Sequence, residues 1–477
     1  MNLDSQIDSF LSPVANKISG IIFSHVTIHG VRVEFLIALL IIAALYFTFR
    51  TRFIGVWGFK HAIDLLTKKY KHDDSIKRKK KGEVSSFQAL TATISASAGM
   101  GNIVGSALAV SVGGPGVIFW MITAGIFSMA LKFSEVLLGI KFRQINKDGS
   151  SSGGPMYYII NGLRAPWIKP VAPYLANIYA LCCIFAMIGG WNLFQINAIT
   201  TQIVNVTGLF GDCRWLFGLI VAVVTFVTVI GGIKSIGKFT SKVTPMMCSL
   251  YIFIAFVICL VNIHNIPHTA YLIVKEAFKP HALVGGGLFG CMLWGFRRAM
   301  FANEAGLGTA PIAFSAVKTS KPVAQAFIAM LQPFVDTVIV GSSTAFIIVV
   351  TGAYKDFIGQ AVGIELTSHA FEIVCPFFPV LLTIMAGFFV LSTMLCGSYY
   401  GVKSWTFLFG DSKLKERIFQ IIYCVFIVIG SAMNLKSVVN LSDGFTLFLA
   451  VPNLIAVFLL SGIIMKELKR YCKKYNI

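Results

Sequence analysis

Charge is scarce in this chain, and long stretches of it carry none. Only 13% of the 477 residues are charged, whereas 56% are hydrophobic, and apolar runs of 17 to 30 residues recur along the sequence. Such runs are long enough to cross roughly 30 Å of hydrocarbon. The composition therefore predicts an all-α, polytopic membrane protein.

The sequence signals of metal sites and of enzyme chemistry are also lacking. The ten cysteines include no C-x-x-C pair, and no His or Cys cluster has metal-ligand spacing. The predicted spans contain no paired carboxylates and no activated nucleophile. We therefore expect neither an enzyme nor a bound cofactor.

The net charge of +20 is compatible with nucleic-acid binding, but the positions of the basic residues argue against it. Lys and Arg concentrate in alternate loops between apolar runs, most densely in residues 50–83 and again in the C-terminal tail. By the positive-inside rule these loops are cytoplasmic. An odd number of spans then places the N-terminus outside and the C-terminus in the cytoplasm of a bacterial plasma membrane.

Eleven transmembrane helices are predicted, with boundaries uncertain by several residues. They lie near residues 33–49, 85–112, 115–140, 175–205, 215–231, 244–262, 283–310, 324–352, 378–400, 417–435 and 445–465. Residues 1–30 lack a signal peptide, and Ile7, Phe10, Leu11, Val14 and Ile18 recur at helical spacing. We expect a short amphipathic helix there, lying on the outer surface.

Two of these spans contain residues that break helices. Ser95 to Asn102 and Gly295 to Gly308 both set glycines within otherwise apolar runs. Backbone that unwinds at membrane depth has no water to bond to, so it is found where it lines a polar cavity. Paired interrupted helices indicate the substrate and ion site of a secondary transporter.

The two breaks also divide the chain into units. The segment 31–83 holds the first helix and a basic cytoplasmic loop, and residues 84–262 form a five-helix repeat that opens with a broken helix. An external connection, 263–282, leads to a second five-helix repeat over 283–465, and 466–477 is a basic cytoplasmic tail. Because five is odd, the second repeat enters the membrane from the opposite face. This arithmetic predicts a 5+5 inverted repeat with one extra N-terminal helix.

Six sequence runs, in order, resemble those of the alanine or glycine:cation symporter family, the sodium:alanine symporters. They are Gly99-Met100-Gly101-Asn102-Ile103-Val104-Gly105, Gly113-Gly114-Pro115-Gly116, Gly153-Gly154-Pro155-Met156-Tyr157-Tyr158, Gln195-Ile196-Asn197-Ala198, Asn303-Glu304-Ala305-Gly306-Leu307-Gly308-Thr309-Ala310-Pro311 and Ser398-Tyr399-Tyr400-Gly401. The resemblance covers roughly residues 33 to 465. It implies a leucine-transporter-type fold that imports small neutral amino acids with sodium by alternating access.

The first break supplies the chemistry that such a substrate needs. Free N–H groups at the start of its second half-helix favour a carboxylate, and carbonyls at the end of its first half-helix favour a cation or an ammonium group. We assign substrate contacts to Ser97, Gly99, Met100, Gly101 and Asn102, together with Gln195 from the resemblance and the backbone of Gly295 and Phe296. Packing through Gly101-x-x-x-Gly105 is the alternative reading of these glycines. The expected sodium ligands are at Ser95, Ala98, Ser392 and Thr393, the last two because the resemblance implies a pair of hydroxyls there.

Four ionisable residues at membrane depth are candidates for gating or ion coupling: Arg297, Arg298, Glu304 and Asp336. Ionisable groups at that depth must pair with one another or line water. Arg298 with Glu304, or Arg297 with Glu135, are the expected ion pairs. Asp336 binds an ion or pairs with a gate arginine, and the sequence leaves both readings open.

The sequence departs from the family pattern at four positions. Met100 replaces a frequent Thr, Cys396 and Gly397 stand where Gly and Trp are common, and Val402 replaces a Glu. These changes leave the preferred amino acid open, with a somewhat larger one than alanine possible. The alternative function is a proton-coupled or sodium-independent transporter of the same fold. Substrate identity and stereochemistry, ion stoichiometry and conformational state are not determined by the sequence, and a functional monomer in the lipid bilayer is expected.

Overall fold

The computed structural model describes residues 4, 13, 25–28, 31–67, 82–146, 150–278, 287–360 and 362–477. The amphipathic helix expected around Ile7 to Ile18 lies outside these residues apart from Pro13. The basic stretch 68–81 also lies outside them.

The first described element is a β-hairpin that the sequence analysis did not anticipate. Strands β1 (His25–Ile28) and β2 (Val31–Glu34) pair antiparallel, with His25 opposite Glu34. The β-branched residues in both strands are the local signal for this pairing. The hairpin leads directly into the first long helix, so Glu34 stands at the start of that helix.

The rest of the chain is mainly helical. Up to the external connection the elements are α1 (Phe35–Arg50), α2 (Ile54–Trp57), α3 (Phe59–Leu66), α4 (Ser86–Ser97), α5 (Met100–Gly113), α6 (Val117–Lys141), β3 (Gln144–Ile145), β4 (Ser151–Ser152), α7 (Pro155–Gly162), α8 (Ala172–Phe185), a π-helix (Ala186–Asn192), α9 (Leu193–Thr207), α10 (Arg214–Val229), α11 (Gly232–Val261), a 3-10 helix (Ile263–Asn265) and α12 (Ile266–Ala277).

The second part begins with the helix before the second break. Its elements are α13 (Gly287–Asn303), α14 (Ala310–Ser315), α15 (Pro322–Ala329), α16 (Leu331–Pro333), a π-helix (Phe334–Gly341), α17 (Ser342–Val350), a 3-10 helix (Ala353–Phe357), α18 (Ile364–Glu372), α19 (Phe378–Phe409), α20 (Lys413–Ala432), α21 (Leu435–Phe448), α22 (Ala450–Leu459) and α23 (Ser461–Tyr475).

Local sequence fixes the ends of the first broken helix. Ser85 and Gln88 form a capping box, in which Ser85 Oγ accepts from Gln88 N (3.2 Å) and Gln88 Oε1 accepts from Ser85 N (2.9 Å). At the other end Gly114 has a φ of 77°, a conformation that glycine adopts without steric cost. The half-helices α4 and α5 are therefore held at both ends of the span.

Among the described residues, six helices are long and apolar enough to cross a membrane. The count rises to seven if α4 and α5, bent by 41° at their junction, are one broken span. The shorter apolar helices α1 and α10 coincide with two more of the predicted spans. The chain is thus a multi-pass helical membrane protein, while the number eleven and the inverted repeat stay predictions.

Two π-helical stretches interrupt long helices near the centre of the bundle. One, Ala186–Asn192, joins α8 to α9, and the other, Phe334–Gly341, follows Pro333. A π-helix frees backbone groups from the regular pattern and is frequent at functional sites. Both stretches carry buried polar side chains: Asn192 donates to the carbonyl of Tyr423 in α20, and Asp336 lies against Ser97 at the end of α4.

Candidate functional site

The first break is where the sequence predicted it. Helix α4 ends at Ser97 and α5 begins at Met100, with Ala98 and Gly99 between them. The backbone N–H of Met100 donates to Gln195 Oε1 at 2.9 Å, so a side chain of α9 binds the positive end of α5. Gln195 is 5% exposed, and its amide is held at the break. The structure therefore brings together these two predicted site residues.

The absence of a side chain at Gly99 permits this close approach. An ideal Cβ at Gly99 would lie 2.6 Å from Thr393 Oγ1 and 2.8 Å from both Gln195 Nε2 and Gln195 Oε1. Real Cβ atoms essentially never come within 3.0 Å of such atoms. Any side chain at residue 99 would have to push Gln195 or Thr393 away from the break.

Two of the four expected cation ligands, Ser95 and Thr393, meet at the end of α4. Thr393 Oγ1, on α19, donates to the carbonyl of Ser95 at 2.8 Å. Ser392 Oγ instead donates to the carbonyl of Phe389 in its own helix (3.0 Å). All of these groups are buried. Carbonyl and hydroxyl oxygens of this kind are the ligands that small hard cations prefer.

The second break lies at the carboxyl end of the run in which it was predicted. Helix α13 continues through Gly295 and Phe296 and ends at Asn303, and α14 starts at Ala310. Glu304, Gly306 and Gly308 have positive φ angles of 57°, 91° and 75°. The unwound segment is thus 304–309.

The expectation of open backbone at Gly295 and Phe296 is wrong. Both residues are helical, and an ideal Cβ at Gly295 would lie 2.5 Å from Trp120 Cβ, so this glycine lets α13 pack closely on α6. Phe296 is 3% exposed, and its ring centroid lies 6.4 Å from that of Trp120. The sequence could not separate a packing glycine from a helix break within one glycine-rich run.

Buried polar side chains hold the second break in place. Lys132 Nζ donates to the carbonyl of Glu304 (3.0 Å), and Glu135 Oε1 accepts from Gly308 N (3.0 Å) and from Asn453 Nδ2 (2.6 Å). Asn453 Nδ2 also donates to the carbonyl of Gly306 at 2.7 Å. Lys132 and Glu135 lie one turn apart on α6, a spacing that could have revealed them as a pair facing one partner.

Among the ion pairs of the described residues, the expected Arg298–Glu304 and Arg297–Glu135 pairs are not present. Arg297 binds Glu34 (Nη1 to Oε1, 2.9 Å) and Asp443 (Nη2 to Oδ2, 2.8 Å), and Arg298 binds Asp443 (Nη2 to Oδ2, 3.2 Å). Glu304 Oε2 instead accepts from Thr309 Oγ1 at 2.7 Å.

Both carboxylates that bind the arginines come from outside the segment 295–308. Glu34 precedes α1, and Asp443 is an isolated acid in α21, so nothing in the local sequence connects them to Arg297. Sequence reasoning missed both residues for that reason.

Asp336 and Gln332 together connect the two broken helices. Ser97 Oγ donates to Asp336 Oδ2, and Gln332 Nε2 donates to Ser97 Oγ at 2.9 Å. Gln332 Nε2 also approaches the carbonyl of Asn303 (3.4 Å), the last residue of α13. The acid therefore lies within the central site and does not pair with a gate arginine.

Oxygen atoms beside Asp336 remain unpaired. Within the described residues, Asp336 Oδ1, Asn102 Oδ1 and Ser106 Oγ are buried and have no hydrogen-bond partner. An ideal Cβ at Gly341 would lie 3.4 Å from each of the last two atoms, so α5 packs directly on the π-helix. Buried unpaired oxygens of this type favour a cation or a proton.

A small cavity lies between the breaks. Five predicted site residues line it: Ser97, Gly101, Gln195, Arg298 and Glu304. The other lining residues are Ala96, Gly105, Trp191, Phe194, Phe301, Ser442, Asp443 and Thr446. Gly99, Met100 and Asn102 are buried and are not among the residues that line the cavity. Gly295, Phe296 and Arg297 do not line it.

A second, larger cavity lies where α19 ends and α20 begins. Tyr399, Val402 and Lys403 are among the residues that line it. The neighbouring Tyr400 is buried, with its ring centroid 6.1 Å from that of Trp191 in the central cavity. Tyr400 therefore packs against a wall residue of the central cavity and, on its other side, against Tyr399, which lines the larger cavity.

Comparison with known proteins agrees with these features. Residues 19–476 match the sodium:alanine symporter family. The chain is 34% identical over 439 residues to the sodium/alanine symporter AgcS of Methanococcus maripaludis, covering 92% of this chain and 94% of that one. It is 33% identical over 444 residues to the probable sodium/glutamine symporter GlnT of Bacillus subtilis, with 92% and 88% covered.

The fold also matches a solved structure. MhsT in complex with L-phenylalanine superposes with a TM-score of 0.53 at 16% identity, covering 81% of this chain and 99% of that one. At that identity the likeness shows the fold alone, which is of the leucine-transporter type. The family indicates a symporter and not an enzyme. The chain belongs to the sodium:alanine symporter family and is a cation-coupled amino-acid symporter.

Proposed function

We propose that this protein imports small neutral amino acids, of the alanine and glycine type, together with sodium by alternating access. The observation that carries the proposal is the convergence at the first break, where Gln195 binds the start of α5 and Thr393 binds the end of α4. A zwitterion needs a positive and a negative pole close together, and a broken helix offers both.

The substrate carboxylate is placed at the start of α5. Met100 N donates to Gln195 and Asn102 N donates to the carbonyl of Gly99 (3.2 Å), while Gly101 between them lines the cavity. The carboxylate therefore binds at Gly101. It displaces Gln195 Oε1 as the acceptor of the hydrogen bond from Met100 N–H. The ammonium group faces the carbonyl ends of the two breaks and the carboxylate of Glu304, which also lines the cavity.

Sodium binds at the end of α4. Its ligands are the carbonyls of Ser95 and Ala98 and the hydroxyls of Thr393 and Ser392, the last after it turns from the carbonyl of Phe389. Occupation replaces the Thr393 to Ser95 hydrogen bond with two bonds to the ion and so orders the break for the amino acid. Sodium and membrane potential together drive uptake, the potential contributing about 2.3 kcal/mol per charge per 100 mV.

The size of the substrate side chain depends on the aromatic wall. Gly397 lies beside Trp191, since an ideal Cβ there would be 3.7 Å from Trp191 Cε3 and 3.2 Å from Tyr423 Oη. The relatives are named for alanine and for glutamine, so both amino acids belong in the substrate panel. A bulkier residue at 397 would press Trp191 toward the cavity, whereas glycine leaves room for a side chain larger than methyl.

The proposed topology completes this mechanism. Eleven spans form a 5+5 inverted repeat after α1, the N-terminus is outside, and the basic C-terminus is in the cytoplasm of the bacterial plasma membrane. The protein acts as a monomer. In this orientation the larger cavity at Lys403 opens to the cytoplasm, and Trp191 with Tyr400 separates it from the substrate.

Uptake of radiolabelled alanine into proteoliposomes tests this function. An inward sodium gradient should raise the initial rate, and the Ser392→Ala/Thr393→Ala double variant should abolish the stimulation. An initial rate of uptake that is changed neither by the sodium gradient nor by the double substitution would contradict the proposal.

A second candidate is proton-coupled transport by the same fold. The buried, unpaired Asp336 Oδ1 beside both breaks favours it, because a proton satisfies that oxygen as well as a cation does. Uptake at zero sodium driven by an inward pH gradient, and lost in Asp336→Asn, would identify this mechanism.

A further inference from the structure

One side of the central cavity is closed by charged residues from two helices, α13 and α21, and from the end of strand β2. Arg298 and Asp443 line the cavity, and Arg297 lies on their outer side, where its side chain is 15% exposed. Asp443 is 3% exposed and binds both arginines. Helices α13 and α21 cannot separate here without breaking these contacts.

Glu34 ties this cluster to the hairpin and to α1. Its Oε1 binds Arg297 Nη1 at 2.9 Å, and its side chain is 23% exposed. The other oxygen, Oε2, is buried and has no hydrogen-bond partner within the described part of the chain. A partly exposed pair with an unsatisfied oxygen is only weakly stabilised, so it can break and reform in each transport cycle.

Helix α1 also touches the second break. An ideal Cβ at Gly306 would lie 2.3 Å from Leu40 Cδ2, and Gly306 has a φ of 91°. Glu34 and Leu40 are less than two turns apart on the chain, and they contact α13 and the segment that follows it. The extra N-terminal helix thus contacts the second broken helix at two places.

We propose that Glu34 is a positioning residue of the transport cycle, which holds Arg297 against Asp443 and so stabilises closure of the cavity on the side where α1 begins. The proposal rests on the proposed function for its place in transport. Glu34 acts through Arg297 and does not touch the cavity.

The test measures how often the cavity opens. Ser442, which lines the cavity, is replaced by Cys, and its reaction with a membrane-impermeant methanethiosulfonate reagent is timed in intact cells and in inverted membrane vesicles. The parent protein, with its ten native cysteines, supplies the background. This assay needs no substrate, so it can fail or succeed independently of the proposed function.

Glu34→Gln should raise the reaction rate of S442C about fivefold on the face where α1 begins, which is the outer face in the proposed topology. A factor of about five corresponds to the loss of ~1 kcal/mol of ion pairing. Glu467→Gln is the matched control. Glu467 binds Lys141 at the same 2.9 Å with a side chain 21% exposed, and it lies away from the cavity. This control should leave the reaction rate unchanged.

Glu34→Asp keeps the charge but shortens the side chain, so it should give an intermediate rate. If Glu34→Gln is not recovered in the membrane, the labelling rate of Glu34→Asp tests the proposal in its place. In uptake assays, Glu34→Gln should change the maximal rate and KM in opposite directions, whereas a general loss of folded protein lowers the maximal rate alone. Labelling rates equal to those of Glu467→Gln on both membrane faces would overturn the proposal.

Discussion

The substitution Gly99→Ala tests the geometry of the first break most sharply. The added Cβ would lie 2.6 Å from Thr393 Oγ1 and 2.8 Å from the Gln195 amide atoms, several tenths of an ångström inside normal contact. Both partners already hold hydrogen bonds at the break, Gln195 Oε1 with Met100 N and Thr393 Oγ1 with the Ser95 carbonyl, so a shift of either side chain disturbs one of these bonds. Overpacking of this kind costs about 1–3 kcal/mol.

The cost should appear in transport more than in folding. Gln195 and Thr393 must stay at the break to receive the amino acid and the ion, so the strain falls on the loaded state. A penalty of about 1.4 kcal/mol is a tenfold change in an equilibrium constant. We therefore expect the kcat/KM for alanine uptake to fall at least tenfold in Gly99→Ala, with both KM and the half-saturating sodium concentration raised.

The assay is initial uptake of radiolabelled alanine in proteoliposomes, normalised to the amount of reconstituted protein. Gly387→Ala is the matched control, because Gly387 lies in α19, as Thr393 does, and an ideal Cβ there meets nothing within 4 Å. This control should keep normal transport and gain a little helix stability. Transport by Gly99→Ala within twofold of the unmodified protein would refute the close approach at the break.

Three further outcomes follow from the same structure. Thr393→Val removes the hydroxyl on the Ser95 carbonyl without changing the shape, so the sodium concentration for half-maximal uptake should rise about tenfold, and Thr393→Ser should restore it. Gln195→Leu leaves the buried N–H of Met100 without an acceptor, at about 1–3 kcal/mol, which should lower the thermal midpoint and raise KM for alanine. Asn453→Leu removes one of the two donors to Glu135 Oε1 and the donor to the Gly306 carbonyl, a loss of about 1.5–3 kcal/mol, so the thermal midpoint in detergent should fall well below that of Asn265→Ala, which changes an exposed residue at a helix end; equal midpoints would contradict the clamp on the second break.

The sequence predicted those parts of the site that depend on local signals. The first break followed from glycines inside an apolar run, and the structure places it between Ser97 and Met100. The resemblance placed Gln195 and Thr393 in the site, and the structure brings both to that break. These features could be read because a helix break and its free backbone groups are encoded by neighbouring residues.

Features that depend on distant residues were not predictable in this way. The second break was expected to expose Gly295, yet that glycine packs on Trp120 and the chain unwinds at 304–309. The partners of Arg297 come from Glu34 and Asp443, which lie 263 and 146 residues away. A side-chain pairing across such distances depends on the tertiary arrangement and leaves no periodic signal.

The π-helices and the hairpin were missed for a different reason. A π-helix at Phe334–Gly341 has the same apolar content as an α-helix, so hydropathy cannot distinguish them. The strands at His25–Ile28 and Val31–Glu34 are short and stand next to a long helix, where an apolar run reads as part of the span.

The proposed mechanism requires that one unwound segment holds the cation and the amino acid together. Titration calorimetry of alanine into the purified protein, in sodium and again in choline at equal ionic strength, measures it directly. We expect alanine to bind in sodium, to bind at least tenfold more weakly in choline, and to show no such difference in Thr393→Val. Equal alanine affinity in both salts would contradict it.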